Sequence, residues 1–218
     1  MHIPDGFLDL TTIIVTYAGF IVYLVLSLSR VRRGDSILSQ QKIPLVSALA
    51  AGIFAAQMLN WPIPGGTSLH FVGGALAGIL LGPYLGFLAV FLVLLIQCLV
   101  FHDGGVTALG ANVLNMAIID VIIGYLCYKM AVSIFGDRRG ARIAGAFIGG
   151  WLGITLAGIA CGLEIGYSPT FPFGVTVTVP IMGSWHALLG IIEGIITAMV
   201  VEYLHSKLPI PIAVTSKR

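Results

Sequence analysis

The sequence predicts an all-α membrane protein: a single integral membrane domain (residues 1–218) built as a bundle of seven transmembrane helices. Composition predicts the class, since 58% of the residues are hydrophobic, 9% are charged and the mean hydropathy is +1.03. A water-soluble domain carries roughly 25% charged residues, so this chain could not cover a surface in water. The placement of the basic residues predicts the number of spans.

Seven apolar segments account for most of the chain. They are residues 10–28, 43–60, 69–85, 83–101, 108–131, 143–161 and 184–204. The stretch LGPYLG separates the third from the fourth, because proline cannot continue a helix interior; one long kinked helix is the alternative there. Before the seventh, VTVTV alternates apolar and hydroxyl residues, which favours a short strand or a re-entrant turn.

With seven spans, all basic residues fall on one side of the membrane. The positive-inside rule then places the N-terminus outside and the C-terminus in the cytoplasm. Residues 1–11 contain no Lys or Arg, so we expect an uncleaved first helix and not a signal peptide. The basic residues are Arg30, Arg32, Arg33 and Lys42 in the first loop, Lys129, Arg138, Arg139 and Arg142 after the fifth span, and Lys207, Lys217 and Arg218 in the tail.

The first two residues, Met1 and His2, carry a chelating pattern on the outer side. The large second residue predicts that Met1 is retained. Its amine and the His2 backbone nitrogen would close a five-membered ring on a metal, and that nitrogen and His2 Nδ1 would close a six-membered ring. The amide must lose its proton, and planar nitrogen coordination indicates Ni(II) or Cu(II).

His70, in GGTSLH, is the best candidate for a fourth nitrogen. Thr67 and Ser68 are plausible N-caps for the third span, which would place His70 in its first helical turn. Pro4 favours an extended Ile3, and Pro-Asp-Gly predicts a tight turn, so the arm could fold back into the mouth of the bundle. Three other histidines lie elsewhere in the sequence: His102 and His186 near the outer segments, and His205 at the cytoplasmic end.

Four stretches carry a family resemblance. MHIPDGF, NWPIPGGTSLHFVGG, FHDGGVTALGANVLNM and SWHALLGIIEGIIT resemble the CbiM/NikM family of substrate-binding S components of energy-coupling-factor (ECF) importers for nickel and cobalt. The resemblance covers most of the chain and implies a prokaryotic cell-membrane protein of seven helices. It implies metal ligands from Met1 (amine), His2 (amide nitrogen and imidazole) and His70. His102 departs from the motif, where a small residue is expected, and is not carried over as a ligand.

The expected function is therefore transport, and not catalysis. No GxxxxGK[ST] phosphate loop is present, so ATP hydrolysis must come from partners. The resemblance implies a transmembrane coupling protein, two ABC-type ATPase subunits and a small separate membrane subunit, with no nucleic acid. Nickel(II) is favoured as the substrate because a planar deprotonated-amide site suits it best; cobalt(II) is the alternative.

Two intramembrane acids, Asp120 and Glu193, leave a second function open. They could couple metal to protons in a secondary transporter, or hydrogen-bond helices together through Asn112, Asn115 or Gln97. His186 could support the ligands by hydrogen bonding. An intramembrane hydrolase is disfavoured, because its Ser–His pairs are two residues apart on a helix and point in different directions.

Small residues spaced by four let helices approach closely in lipid. Gly74, Gly78 and Gly82 form one such ridge, and Ala51 and Ala55 form another. Internal packing is the ordinary interpretation. The sharper hypothesis is that the alanine ridge faces the coupling protein.

Overall fold

The computed structural model describes residues 1–33 and 42–207, and most of these residues are helical. Two π-helical segments, Gln97–Phe101 and Leu114–Ile119, extend α4 and join α5 to α6, which gives seven continuous helical stretches among the described residues. The elements are α1 (Leu10–Arg33), α2 (Lys42–Gln57), β1 (Trp61–Pro62), β2 (Ser68–Leu69), α3 (Gly74–Leu81), α4 (Pro83–Ile96), α5 (Leu109–Val113), α6 (Asp120–Phe135), α7 (Arg139–Tyr167) and α8 (Val175–Lys207).

Five of these helical stretches are long and apolar enough to cross a membrane. They are Leu10–Arg32, Pro83–Phe101, Leu109–Phe135, Arg139–Tyr167 and Val175–Lys207. The predicted all-helical membrane class is confirmed to this extent, and the fourth span has the predicted bounds. The remaining two stretches, α2 and α3, are shorter.

The third predicted span, residues 69–85, is wrong as a continuous helix. Within it, α3 covers only Gly74–Leu81, a length of about 12 Å at 1.5 Å per residue, and Pro83 already begins α4. Residues 68–69 instead pair with Trp61–Pro62 as a two-residue antiparallel ladder. The cause lies in NWPIPGG, whose prolines and glycines favour a turn that returns the chain as a hairpin. The short helix α3 is mostly buried, whereas β1 of the hairpin is exposed and β2 is half-buried.

The predicted break at LGPYLG is present. Gly82 takes φ 84° and ψ 170° and Pro83 begins α4, so the alternative of a single kinked helix is wrong.

The expected strand or re-entrant turn at VTVTV is wrong, since α8 already begins at Val175 and includes Pro180. Alternation over five residues was too short a signal against the helical pattern that follows.

Glycines bring the helices at the centre into contact. A Cβ at Gly78 would lie against the Val121 carbonyl oxygen, and a Cβ at Gly150 would lie 3.0 Å from the Cα of Gly194. The glycine ridge of α3 is thus internal packing against α6. Ala51 and Ala55, in contrast, are exposed on α2.

The two ends of the bundle differ in chemistry. At one end Arg142 binds both oxygens of Glu202, at 2.9 and 3.0 Å, and Asp137 at 2.9 Å. Ser168, at the other end of α7, accepts the Asp9 backbone N–H at 2.9 Å. The N-terminal arm therefore lies at the end remote from the α7–α8 basic cluster. The predicted basic residues Lys217 and Arg218 lie outside the described residues.

Candidate metal site

The N-terminal arm is folded into the bundle. Met1 and Ile3 are fully buried and His2 is buried. Ile3 donates its backbone N–H to Asn112 Oδ1 at 2.8 Å, and its carbonyl accepts Asn112 Nδ2 at 3.1 Å and the Gly105 N–H at 2.9 Å. A side-chain amide thus imitates one rung of a β-ladder, and it satisfies both polar groups of an extended residue inside a helical protein.

A turn directly follows the arm, as the Pro-Asp-Gly sequence predicts. Gly6 has φ 86°, and the Asp5 carboxylate accepts the Thr107 N–H at 2.7 Å, the Thr107 hydroxyl at 2.5 Å and the Val106 N–H at 3.2 Å. The Thr107 hydroxyl is the main cause that lowers the pKa of Asp5. The turn therefore fixes the point from which the arm enters the bundle.

Ser68 accepts hydrogen bonds from two backbone nitrogens of the arm. The Met1 amine donates to the Ser68 carbonyl and, at 2.9 Å, to the Ser68 hydroxyl oxygen, and the His2 N–H donates to the same hydroxyl at 3.2 Å. Both nitrogens therefore face one point, as a five-membered chelate ring requires. Ser68 belongs to strand β2 and not to a helix N-cap, so that earlier assignment is wrong.

His70 reaches this point from an extended segment and not from the first turn of a helix. It precedes α3 by four residues and is fully buried. Its Nδ1 lies 2.7 Å from the Phe71 carbonyl oxygen, which can only accept, so Nδ1 carries the proton. The buried Nε2 has no hydrogen-bond partner and keeps its lone pair. That is the protonation state a metal ligand needs.

The His2 ring stacks on the His70 ring with a centroid distance of 4.5 Å and an interplanar angle of 19°. Its Nε2 lies 3.7 Å from Asp103 Oδ2, just beyond hydrogen-bond distance, and Asn60 Nδ2 lies 3.4 Å from the same oxygen. If Asp103 holds the proton-bearing Nε2, then Nδ1 is the nitrogen available to a metal. The contact is between a carboxyl group and a neutral ring, because burial lowers the pKa of His2 to about 3.

Burial also lowers the pKa of the Met1 amine from 8.0 to about 5. At neutral pH the amine therefore has a free lone pair, like both imidazoles. Above the site a cavity of about 460 Å³ is lined by His2, Ser68, His102 and Asp103, among others. A hydrated ion could approach the nitrogens through it.

Side chains alone do not form the site. Within residues 1–33 and 42–207, no group of three or more His, Cys, Asp or Glu side chains could hold a metal ion. The convergence depends instead on two backbone nitrogens and two imidazoles. The structure thus brings Met1, His2 and His70 together, with the two imidazole rings stacked.

Residues with other expected roles lie around this centre. His102 is at the rim in a left-handed conformation, φ 55°. His186 is buried, and its Nδ1 lies 2.6 Å from the Met182 carbonyl of its own helix. The expected support from His186 to the ligands is therefore absent among the hydrogen bonds of the described residues.

The partners expected for the two acids are wrong. Glu193 accepts the backbone N–H groups of Val72 at 2.9 Å and Gly73 at 2.7 Å. Asp120 lies against Gly74, where a Cβ would come within 2.5 Å of Oδ2. Both carboxyl groups thus meet the chain at the start of α3, whereas helix-to-helix bonding had been expected.

The three amides have other roles. Asn112 binds Ile3, Asn115 donates to Glu164 at 2.6 Å, and Gln97 has no hydrogen-bond partner for its buried side-chain atoms. Sequence reasoning missed Ser68 and Asn112 as site residues. No sequence signal marks them, because each acts on a backbone group far away in the chain.

Comparison with known proteins decides the family. Residues 2–209 match the CbiM family, described as the cobalt uptake substrate-specific transmembrane region. The chain belongs to the CbiM family.

Relatives of this CbiM-family chain include proteins named for both metals. A protein of Archaeoglobus fulgidus, named provisionally as a fused nickel transport protein NikMN, is 58% identical over 96% of this chain and 67% of its own length. The cobalt transport protein CbiM of Listeria seeligeri is 32% identical, over 98% of this chain and 87% of its own. A crystal structure of a truncated transition metal transporter superposes with a TM-score of 0.87 at 35% identity, covering 94% of this chain and 99% of that one.

Family membership makes this CbiM-type chain a metal transport protein of the substrate-specific kind. Its long apolar helices fit a multi-pass membrane protein. The relatives are named for transport, which agrees with the expectation that the chain is not an enzyme.

Proposed function

We propose that this chain is the metal-binding subunit of an ATP-driven nickel importer of the ECF type. It binds Ni(II) in a square plane of four nitrogens: the Met1 amine, the His2 amide nitrogen, His2 Nδ1 and His70 Nε2. The observation that carries the proposal is the shared contact of the Met1 and His2 nitrogens with Ser68 Oγ, at 2.9 and 3.2 Å. Two adjacent backbone nitrogens that face one buried point are the start of a chelate.

The chemistry of this donor set favours nickel. Three donors come from one dipeptide, whose two fused chelate rings are unstrained only when the nitrogens share a plane. Loss of the amide proton requires a metal that gains strongly from planar nitrogen coordination, as d⁸ Ni(II) does. The neutral amine and imidazoles remove the need to displace further protons.

Ser68 and Asp103 have complementary roles in this proposal. Ser68 holds the amine and amide in register before the metal arrives and gives up both contacts when the metal takes their place. Asp103 accepts Nε2–H of His2 after a shift of a few tenths of an ångström from 3.7 Å, which leaves Nδ1 for the metal. His70 needs to rotate out of the stack, while its Nδ1–H remains on Phe71.

Release requires work from partners. The arm is buried and anchored by Asn112 and Asp5, so the metal leaves only when this anchoring is disrupted. In this proposal a transmembrane coupling protein and two ATPase subunits supply that work, with a small separate membrane subunit assisting. The arm faces the outside of the cell membrane, and the end with Arg142 faces the cytoplasm.

Cobalt(II) is the second candidate, because the family is described by cobalt uptake. Metal analysis of protein purified from cells supplied with equal nickel and cobalt separates the two. We expect about one nickel per chain and an absorption spectrum of square-planar Ni(II). Mostly cobalt, or nickel in an octahedral environment, would contradict the proposed site.

A further inference from the structure

A buried carboxylate on α8 holds the segment that carries His70. Both Glu193 oxygens are used, one by the Val72 N–H at 2.9 Å and the other by the Gly73 N–H at 2.7 Å. Glu193 is 3% exposed, so water does not compete for these bonds. Hydrogen bonds that two successive amides donate to one carboxylate are strong, and they fix the orientation of the backbone.

The same segment is held from a second helix. Gln57, the last residue of α2, donates its side-chain amide to the Val72 carbonyl at 2.7 Å and is itself fully buried. Gly73 has φ 73°, and a Cβ there would lie 2.7 Å from Ile53 on α2. Val72 is therefore bound on both sides, and the left-handed glycine turns two successive N–H groups toward Glu193.

The hydrogen bonds that hold Val72 and Gly73 act on His70 through one peptide group. Phe71, between His70 and Val72, supplies the carbonyl that accepts His70 Nδ1–H at 2.7 Å. The position of that carbonyl sets the direction of the imidazole and hence the line along which Nε2 points. No hydrogen bond of the described residues holds the His70 ring directly from another helix, so the backbone path is the one that the structure provides.

We propose that Glu193 is a positioning residue for His70 that sets the preference for nickel over cobalt. The inference rests on the proposed function. A square-planar ion binds well only when the fourth nitrogen lies in the plane of the other three. Cobalt(II) accepts other geometries and tolerates a misplaced His70. A precisely held His70 therefore favours nickel, and a loosened one removes that advantage.

The test compares four single variants and one double variant of the full-length protein in detergent or nanodiscs. Glu193→Gln keeps the size but offers one acceptor where two are needed, and Glu193→Asp keeps both acceptors on a shorter side chain. Glu164→Gln is the matched control, a half-buried glutamate on α7 that accepts a hydrogen bond from Asn115 and has none to residues 70–73 among the described residues. His70→Ala completes a double-mutant cycle with Glu193→Gln.

For Glu193→Gln we expect nickel affinity to fall by about 10–100-fold, the range typical of losing an outer-sphere partner of a metal ligand. Cobalt affinity should change less, and the square-planar nickel spectrum should be altered. Glu193→Asp should recover part of the nickel affinity and part of the square-planar spectrum. In the His70→Ala background, Glu193→Gln should cost little more, because a residue that acts only through His70 has no further effect once His70 is gone.

The outcomes separate this inference from the proposed function. If the wild type shows no square-planar nickel, the proposed function fails before any variant is compared. If the wild type binds nickel as proposed but Glu193→Gln has the same affinity, metal preference and spectrum, the positioning role is overturned. Equal effects of Glu193→Gln with and without His70, or an effect of Glu164→Gln as large, would overturn it too. If Glu193→Gln does not fold, Glu193→Asp decides by the same spectrum and the same cycle.

Discussion

The imidazole rings of His2 and His70 lie face to face, 4.5 Å apart between centroids and 19° from parallel. Both rings are buried, and each has an Nε2 atom without a hydrogen-bond partner. In the proposed square plane, His70 Nε2 would lie beside the three nitrogens of Met1 and His2, so we expect nickel binding to turn the His70 ring out of this stack.

His70→Ala should abolish tight nickel binding and leave the fold intact, because it removes one planar ligand. The loss should exceed the roughly 10–100-fold typical of an outer-sphere partner. Calorimetry with nickel measures the affinity, and thermal unfolding measures the fold. His205→Ala, at the far end of α8, is the control and should bind as the wild type does. Near-normal affinity in His70→Ala would rule out a four-nitrogen site.

Asn112→Leu should weaken nickel binding although Asn112 touches no metal. The substitution leaves the Ile3 N–H buried without an acceptor, which costs about 1–3 kcal/mol, or roughly 5–150-fold in binding if the arm must dock. Asn115→Leu is the matched control, because it removes a buried amide that binds Glu164 and not the arm. Equal affinities for both variants would contradict the anchoring role of Asn112.

The sequence predicted the candidate ligands but not the segments that hold them. Met1, His2 and His70 could be proposed because the chelate geometry is local to one dipeptide and the histidine motif is compact. The segment around His70 was assigned to a helix, since the hydropathy continues through it into α3 and hides the short β1–β2 ladder. Hydropathy measures burial, and an extended segment wrapped in protein is as apolar as a helix.

The anchors of the arm and of the His70 segment could not be derived from the sequence, for a different reason. Asn112 lies 109 residues from Ile3 in the chain, and Glu193 lies 120 residues from Gly73. Patterns of neighbouring residues in the sequence do not predict contacts between residues so far apart in the chain. The position of Glu193 within an apolar segment did mark it as a candidate functional residue, but the partners expected for it were wrong.

The number of protons released when nickel binds should show whether the Met1 amine is charged before binding. Burial places the pKa of the Met1 amine at about 5 and that of His2 at about 3, so both are already neutral at pH 7. Nickel binding at pH 7 should then release about one proton, from the His2 amide. As the pH falls toward 5 the amine takes up a proton, so the count should rise and the affinity should fall.

Calorimetry in buffers of different ionisation enthalpy measures this number. A His2→Ala variant lacks the imidazole donor and serves as the control for nonspecific binding. Release of about two protons at pH 7 would contradict a neutral buried amine, since it would mean that the metal-free amine is charged.

The exposed alanine pair of α2 tests the proposed partner. Leu at both Ala51 and Ala55 should block assembly with the coupling protein but preserve nickel binding, because these side chains face away from the site. The measurement is co-purification of the complex together with calorimetry. Leu at Ala18 and Val22, also exposed and spaced by four on α1, is the control. Assembly at wild-type yield in the Ala51/Ala55 variant, or its loss in the control alone, would assign docking to another face.

The free amine of Met1 is the donor on which the whole account depends. The direct measurement is nickel uptake by cells that carry the complete transporter, with either a native N-terminus or one blocked by a short uncleaved extension whose presence mass spectrometry confirms. An extension converts the Met1 amine into an amide, which has no lone pair for a metal unless it loses its proton, and there is no room for added residues beside Ser68, where Met1 is fully buried. We expect the protein with the native terminus to import nickel and the blocked protein, at equal membrane abundance, to import none above background. Import by the blocked protein at the native rate would show that the amine is not a ligand and would contradict the proposed site.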